Sequence, residues 1–481
     1  PHGAWNRGLA RKMLSGALTT LDLFARLVPT VPKPEFPQTV QRRLLWTFLA
    51  VLVYMVASQV PLLGIRDTVA ADPLFWMRTI FASQRGTLME LGIGPILTGS
   101  LVMQLLSSAG VFSFDKTKEN EVTVFRRVSR FIGILMAVAQ AVLYVFILKM
   151  YGSPSSLGWF TAFFLCAQMV MGTYLVGTLE TMVTDGWGLA SANGLFTTAN
   201  VCENIVWKMF SFTSMNRGFG KEFEGAFIAA IHMLFTKESK LEALKLAFMR
   251  PGLPNLTNVL ATLAIFAVVV YLQGMSIKIA VQHKSGQMAR DYPIKLFYTS
   301  TTPIQLQSMA TSYAFLVSQS LSRKMPGNLL VKLIGSWREV ESSPGQYVPT
   351  SGLIYLLAPP TSMFAAATHP IHTVLYLTWM LGSCGLIAKY YVDMSGTGAD
   401  KKEEELQAQG LQMKGFTRPG AMKKKLNKYI PRAAVVGGIL VGAIQVGADL
   451  TGAIGSGTGI LLCATTLVNS YEEIARLTKV A

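Results

Sequence analysis

The sequence is poor in charge. Only 14% of its 481 residues are Asp, Glu, Lys or Arg, against roughly 25% in soluble globular proteins. With 51% hydrophobic residues and a mean hydropathy of +0.40, a soluble globular protein is excluded. Acidic side chains are the scarcer sign, 26 against 43 basic ones, for a net charge of +17. Cysteine is rare: Cys166, Cys202, Cys384 and Cys463 are scattered through apolar segments with no CxxC pair. Neither a metal site nor a redox motif is indicated, and they read as small buried hydrophobes. Histidine numbers five, and the neighbours His369 and His372 lack a third ligand. No HExxH and no in-span serine or aspartate protease signature occurs, so an intramembrane hydrolase lacks its chemistry. No catalytic residue, metal site or cofactor is expected.

What the chain does have is long apolar runs. Segments of about 20 residues suffice to cross a bilayer, and they fall at 44–61, 88–106, 131–149, 157–179, 189–210, 256–273, 296–321, 371–392, 433–449 and 454–471. The expected fold is an all-α polytopic membrane protein with ten transmembrane helices. Five spans precede the mixed loop 211–253 and five follow it, which predicts two halves in inverted orientation. The organisation is then an amphipathic N-terminal segment 1–41, a first half 42–210, a hinge loop 211–253, a second half 254–475 and a tail 476–481. Positive charge concentrates in cytoplasmic loops. Arg42-Arg43, the loop 115–130 and the loops 276–295 and 394–432 are the basic ones, so both termini are expected in the cytosol.

The stretch 61–106 organises the rest. An apolar run ends at Gly64, a half-polar segment follows with Arg66, Asp67, Asp72 and Arg78, and a second apolar run is broken by Gly92, Gly94, Pro95 and Gly99. The half-polar piece is too short and too charged to span a bilayer in contact with lipid. Such backbone survives at membrane depth only when buried in protein or lining a cavity. It predicts a helix that blocks or lines a path. Spans five and seven carry polar stripes, including Asn193, Thr197, Asn200, Glu203, Gln305 and Gln307. Amides and hydroxyls facing lipid cost free energy, so these face protein or a wet path.

Other motifs have plainer readings. The glycines at 452–459 miss dinucleotide spacing because Ile460 takes the last position, and close helix packing explains them. Gly438 and Gly442 form a small-residue packing face. Asn255-Leu256-Thr257 is a formal glycosylation sequence that abuts the sixth span. The basic loops 278–295 and 400–432 serve as topology signals, and the second is too long and too basic for that alone. A polyanionic docking partner accounts for it. The rival function is an inverted-repeat solute transporter, which would want ionisable groups nearer the midplane than Glu203, Lys208 and Lys389.

Six strings carry a resemblance: ADPLFWMR (71–78), RGTLMELGIGPILTGSLVMQLL (85–106), EFEGA (222–226), YPIKLFYTS (292–300), LNKYIPRAA (426–434) and GAIGSGTGILL (452–462). They resemble the SecY-type protein-conducting channel, most of all its eukaryotic form, the alpha subunit of the endoplasmic-reticulum translocon. The likeness runs from about 23 to about 473. It implies a clamshell of two five-helix halves in the endoplasmic-reticulum membrane, passive rather than enzymatic, that translocates secretory proteins and releases membrane proteins sideways. By resemblance the segment 63–83 is a plug, with Leu63, Ile65, Asp72, Trp76 and Arg78. The constriction falls on Ile93, Leu97, Asn193, Thr197, Gln305 and Leu462, and the lateral gate on Leu101, Gln104, Gln140, Gln307 and Tyr313. Lys284, Arg290, Arg418, Lys423, Lys424 and Lys425 fall in the loops that dock the ribosome. Single-span beta and gamma subunits, signal sequences, nascent chains and lipid are the other implied partners. The chain departs from the family at Asn193, Thr197 and Gln305, where apolar residues are usual, and at Tyr313, where a small amide is usual.

Overall fold

The computed structural model describes residues 22–480 apart from positions 27, 30, 37, 153, 238 and 326 and segments 66–71, 73–74, 109–118, 190–191, 217–220, 251–252, 284–289, 298–300, 340–346, 361–362, 396–397, 409–410 and 414–420. Among the described residues the chain is helical, with three small antiparallel sheets outside the long helices. Among the described residues, six helices are long and apolar enough to cross a membrane: Val40–Gln59, Glu121–Ile147, Trp159–Trp187, Leu256–Gln273, Pro370–Val392 and Met422–Thr451. They coincide with expected spans one, three, four, six, eight and nine. The other four expected spans fall on Gly94–Ser108, Ala192–Phe210, Thr302–Lys324 and Gly457–Val480. Each misses the criterion for a visible reason. The first has 15 residues; the second and third carry the polar stripes; the last runs on into Glu472, Glu473 and Arg476.

Two helices begin earlier than the apolar pattern suggests. The helix of span three starts at Glu119 and that of span nine at Ala421, inside the basic loops. Lys, Arg, Glu and Met are good helix formers, and no glycine or proline stands between 119 and 131 to stop the first. Apolar periodicity marks where a helix meets lipid, not where it ends.

The chain divides into two compact units. One comprises Pro1–Ala70, Phe81–Phe196 and Glu473–Ala481; the other comprises Ala71–Ile80 and Thr197–Glu472. In the first unit, Tyr54, Phe196, Leu165, Met169 and Met103 are fully buried, with the Tyr54 and Phe196 rings 5.1 Å apart. The N-terminal segment is pinned to this unit. Asp22 pairs with Arg26 (3.1 Å) and Arg127 (2.9 Å), the Phe24 and Phe131 rings stack at 6.5 Å, and Trp187 Nε1 donates to Pro32 O (2.9 Å). Asp22 and Ala25 are buried while Leu23, Phe24 and Phe36 stay exposed, the apolar surface that a segment lying along a membrane interface offers to lipid.

In the second unit, helices Pro370–Ser395 and Ala421–Thr451 pack closely. A Cβ on Gly438 would sit 2.7 Å from Ala388 Cβ, so the glycine face is a packing face. A polar network ties the same region together. Tyr376 Oη donates to Asp449 Oδ2 (2.6 Å), Gln445 Nε2 donates to both Asp449 oxygens (3.0 Å each), and Thr458 Oγ1 donates to Gln445 Oε1 (2.7 Å). Asn255 caps helix Leu256–Gln273 by accepting from Asn258 N (2.9 Å), while its amide reaches Arg250 O (3.5 Å). The nitrogen that a glycan would need is thus held in the fold. His372 likewise is engaged with the Tyr355 carbonyl (2.8 Å) and ring (4.1 Å).

Candidate functional site

The stretches that flank the segment expected to be the plug belong to the first unit and are hydrogen-bonded to it at both ends. At the near end the Gln168 carboxamide grips the Leu63 backbone twice, accepting from its N–H (3.0 Å) and donating to its carbonyl (3.1 Å). Leu62 N donates to Gly86 O and Leu88 N to Val60 O, both 2.9 Å. At the far end Tyr54 Oη donates to Ala82 O (2.7 Å), and Ile93 N donates to Phe81 O (2.8 Å). Gly92 makes that closure possible. Its φ is +55°, and a Cβ there would lie 2.1 Å from Phe81 O. Glu90 is 1% exposed here and accepts from Gly86 N. The sequence signal for it was a lone carboxylate inside an apolar run.

Within the segment expected to be the plug lies the helix Phe75–Phe81, all of it but Phe81 in the second unit. Arg78 and Asp72 form a forked pair, Nε–Oδ2 2.5 Å and Nη2–Oδ1 3.0 Å, with side chains only 12% and 10% exposed. Two desolvated charges hold one another and fix the helix start. Met77 and Ile80 are buried. The helix lies against two others of its unit. Thr197 Oγ1 is 3.5 Å from Ile80 O, and a Cβ on Gly459 would lie 3.0 Å from Thr79 Cγ2. Of the plug residues expected from sequence, Leu63 is exposed and Ile65 half-buried, and the side chain of Trp76 lies outside the described residues.

The residues expected at the constriction sit on distinct elements. Ile93 is buried in the turn before helix Gly94–Ser108, which carries Leu97. Thr197 lies on helix Ala192–Phe210 and Leu462 on Gly457–Val480, both fully or almost fully buried. Gln305 is half-buried on helix Thr302–Lys324, and the side chain of Asn193 lies outside the described residues. Two of these helices are inside-out for water but right for lipid. On Ala192–Phe210, Thr197, Thr198 and Asn200 are buried while Val206, Trp207 and Phe210 are exposed. On Thr302–Lys324, Gln307, Ser312, Ser318 and Gln319 are buried while Val317 and Leu321 are exposed. Polar stripes therefore point inward, as desolvation cost demands.

The gate residues are carried by three helices. Leu101 and Gln104 are half-buried on Gly94–Ser108, as is Gln140 on Glu119–Val142. Gln307 and Tyr313 are on Thr302–Lys324, with Gln307 Nε2 donating to Thr311 Oγ1 (3.1 Å).

The two basic loops, remote in sequence, are one structure. Strand Ser276–His283 pairs with Arg290–Lys295 and also with Leu411–Met413, in the register Val281 opposite Met413 and His283 opposite Leu411. Beneath lies a small core of Ile294, Val392, Leu406, Met422, Leu426 and Ile430. Lys423, Lys424 and Lys425 stand in the first turns of helix Ala421–Thr451, where positive charge opposes the helix dipole. Helix stability does not account for them there. Lys284 and Arg418 lie outside the described residues, as does the side chain of Arg290.

Long apolar helices with exposed apolar surface, beside helices whose polar stripes are buried, are those of a helical membrane protein. Similarity gives its kind. The chain matches the SecY family over residues 87–471 and the plug domain of Sec61p over residues 52–86. It is 43% identical over 455 residues to the protein transport protein Sec61 subunit alpha of Dictyostelium discoideum, covering 94% of this chain and 95% of that one. Its fold is similar to a solved protein-conducting channel (TM-score 0.73, 26% identity, covering 95% of this chain and 96% of the other). It is also similar to yeast Ssh1 in its idle complex bound to the 80S ribosome (TM-score 0.73, 26% identity, 94% and 93% covered). The chain belongs to the SecY family. It is a pore-forming channel for protein translocation, not an enzyme.

Proposed function

We propose that this chain is the central subunit of the endoplasmic-reticulum translocon, with ten membrane-crossing helices in two inverted halves and both termini in the cytosol. Secretory polypeptides cross it during or after synthesis, through a constriction lined by Ile93, Leu97, Asn193, Thr197, Gln305 and Leu462. Membrane segments leave sideways past Leu101, Gln104, Gln140, Gln307 and Tyr313. The observation that carries the reading is the seating of the plug helix on Thr197 and Gly459, beside the helix that bears Leu462. The apolar signal helix partitions to lipid at the side opening. Each central Leu or Ile gains roughly 0.3–0.6 kcal/mol and one central Lys or Asp loses about 3.

The driving force belongs to partners. The ribosome docks on the joined basic loops through Lys284, Arg290, Arg418 and Lys423–Lys425, since arginine and lysine are the groups that meet RNA phosphate. Two single-span subunits, beta and gamma, complete the assembly. The test is reconstitution of the full chain with those subunits in liposomes. Ribosome-dependent import of a signal-bearing chain is expected; unaided uptake of a small solute without it would overturn the reading.

A further inference from the structure

Cys202 and Cys463 are separated by 261 residues, yet their sulfurs lie 3.6 Å apart. They stand on helices Ala192–Phe210 and Gly457–Val480. These helices approach closely one turn earlier. A Cβ on Gly455 would sit 3.3 Å from Ile205 Cγ1, and one on Gly459 would sit 2.9 Å from Val201 Cγ2. Side chains of the first helix thus pack directly on the glycines of the second, beside the paired sulfurs. Both thiols are free, Cys202 exposed and Cys463 buried. A disulfide needs its sulfurs about 2.0 Å apart, so about 1.6 Å remains to close from 3.6 Å, and rotation about Cα–Cβ moves a sulfur by that much.

We propose that Cys202 and Cys463 form a reversible disulfide by exchange with a small aliphatic disulfide of the glutathione type. Cys202, the less buried of the two thiols, loses its proton and attacks one sulfur of the small disulfide. The small S–S bond breaks, one small thiol leaves, and a mixed disulfide remains on Cys202. Cys463 then loses its proton and attacks Cys202 Sγ, and the second small thiol leaves. The protein gives up two electrons and two protons; the small disulfide gains both and becomes two thiols. The product staples the helix bearing Thr197 to the helix bearing Leu462. Its effect on the path rests on the channel reading above.

The test uses the full chain with its partner subunits in membranes, on a Cys166→Ala/Cys384→Ala background, incubated with oxidised glutathione. Intact mass and thiol labelling are expected to show loss of two hydrogens, no retained glutathione, and reversal by dithiothreitol. Cys463→Ser, and Cys463→Ala as its structural control, should stop at a glutathione adduct on Cys202. Retention of both thiols, or a lasting adduct on the chain that keeps both cysteines, would overturn the proposal. Import that falls on oxidation in that chain but not in Cys463→Ser ties the staple to the path. Oxidation that leaves import unchanged would refute that tie, and absence of import in both redox states would strike the channel reading instead, leaving the mass result to stand by itself.

Discussion

Asp72 ties the proposed plug helix to the residues just before it through Arg78. Its forked bond to Arg78 is nearly desolvated, and removing one partner of such a pair leaves an uncompensated charge at a cost of roughly 3 kcal/mol. Asp72→Asn is expected to raise ion conductance of the idle channel in planar bilayers, and the swapped pair Asp72→Arg/Arg78→Asp to lower it again. Gly459→Val should act in the same direction, because the added carbons meet Thr79 and Val201. The polar ring residues make the plug matter more here. An apolar constriction seals by dewetting, and Thr197 and Gln305 weaken that. Deleting residues 65–80 should open a steady leak, and Gln305→Leu in the deleted channel should reduce it. Leak currents identical with and without the segment would refute the sealing role.

At the scale of elements, two contrasts are testable. The Tyr376–Asp449–Gln445–Thr458 network joins three helices. A hydrogen bond to a charged group contributes about 1.5–3 kcal/mol, so Tyr376→Phe should lower stability by that order in thermal unfolding of the solubilised complex. The lysines at the start of helix Ala421–Thr451 present the opposite case. Charge reversal at Lys424 removes a clash with the helix dipole, and a favourable first-turn charge is worth roughly 0.3–1 kcal/mol. The variant should thus be no less stable while binding ribosomes more weakly in cosedimentation. A loss of both together would mean that this lysine holds the loop rather than a partner.

For the whole molecule, ribosome affinity should depend on salt, because phosphate contacts release counterions. Lys284→Glu and Arg418→Glu should weaken cosedimentation most at low salt and flatten its salt dependence. Much of this architecture could be read from sequence. Six apolar helices, the half-polar plug and the inward polar stripes follow from composition and period, since lipid enforces them residue by residue. What escaped is what depends on distant pairing. The strand Leu411–Met413 is three residues between Gly410 and Gly415, too short to show an alternating pattern, and only its partner makes it a strand. Cys202 and Cys463 have no spacing to betray them. Asp449 closes an apolar run and reads as its boundary, but it accepts three hydrogen bonds. Helix starts in the basic loops differ from the apolar pattern because hydropathy reports lipid contact, while good helix formers such as Lys, Arg, Glu and Met carry the helix beyond it.

The two stitches at Leu63 and Phe81 turn the stopper into something on a leash. Both anchor points stay with the same unit. Whatever displaces the intervening segment cannot carry it away, and it searches for its seat as a tethered ligand at an effective concentration on the order of millimolar. Re-closure is then independent of how many channels the membrane holds, and a loop of this size closes in well under a microsecond once the way is clear, judged by roughly 10–100 ns for ten residues. Cutting the leash at either stitch, for instance with Gln168→Ala, should slow re-closure without altering how tightly the seated plug fits.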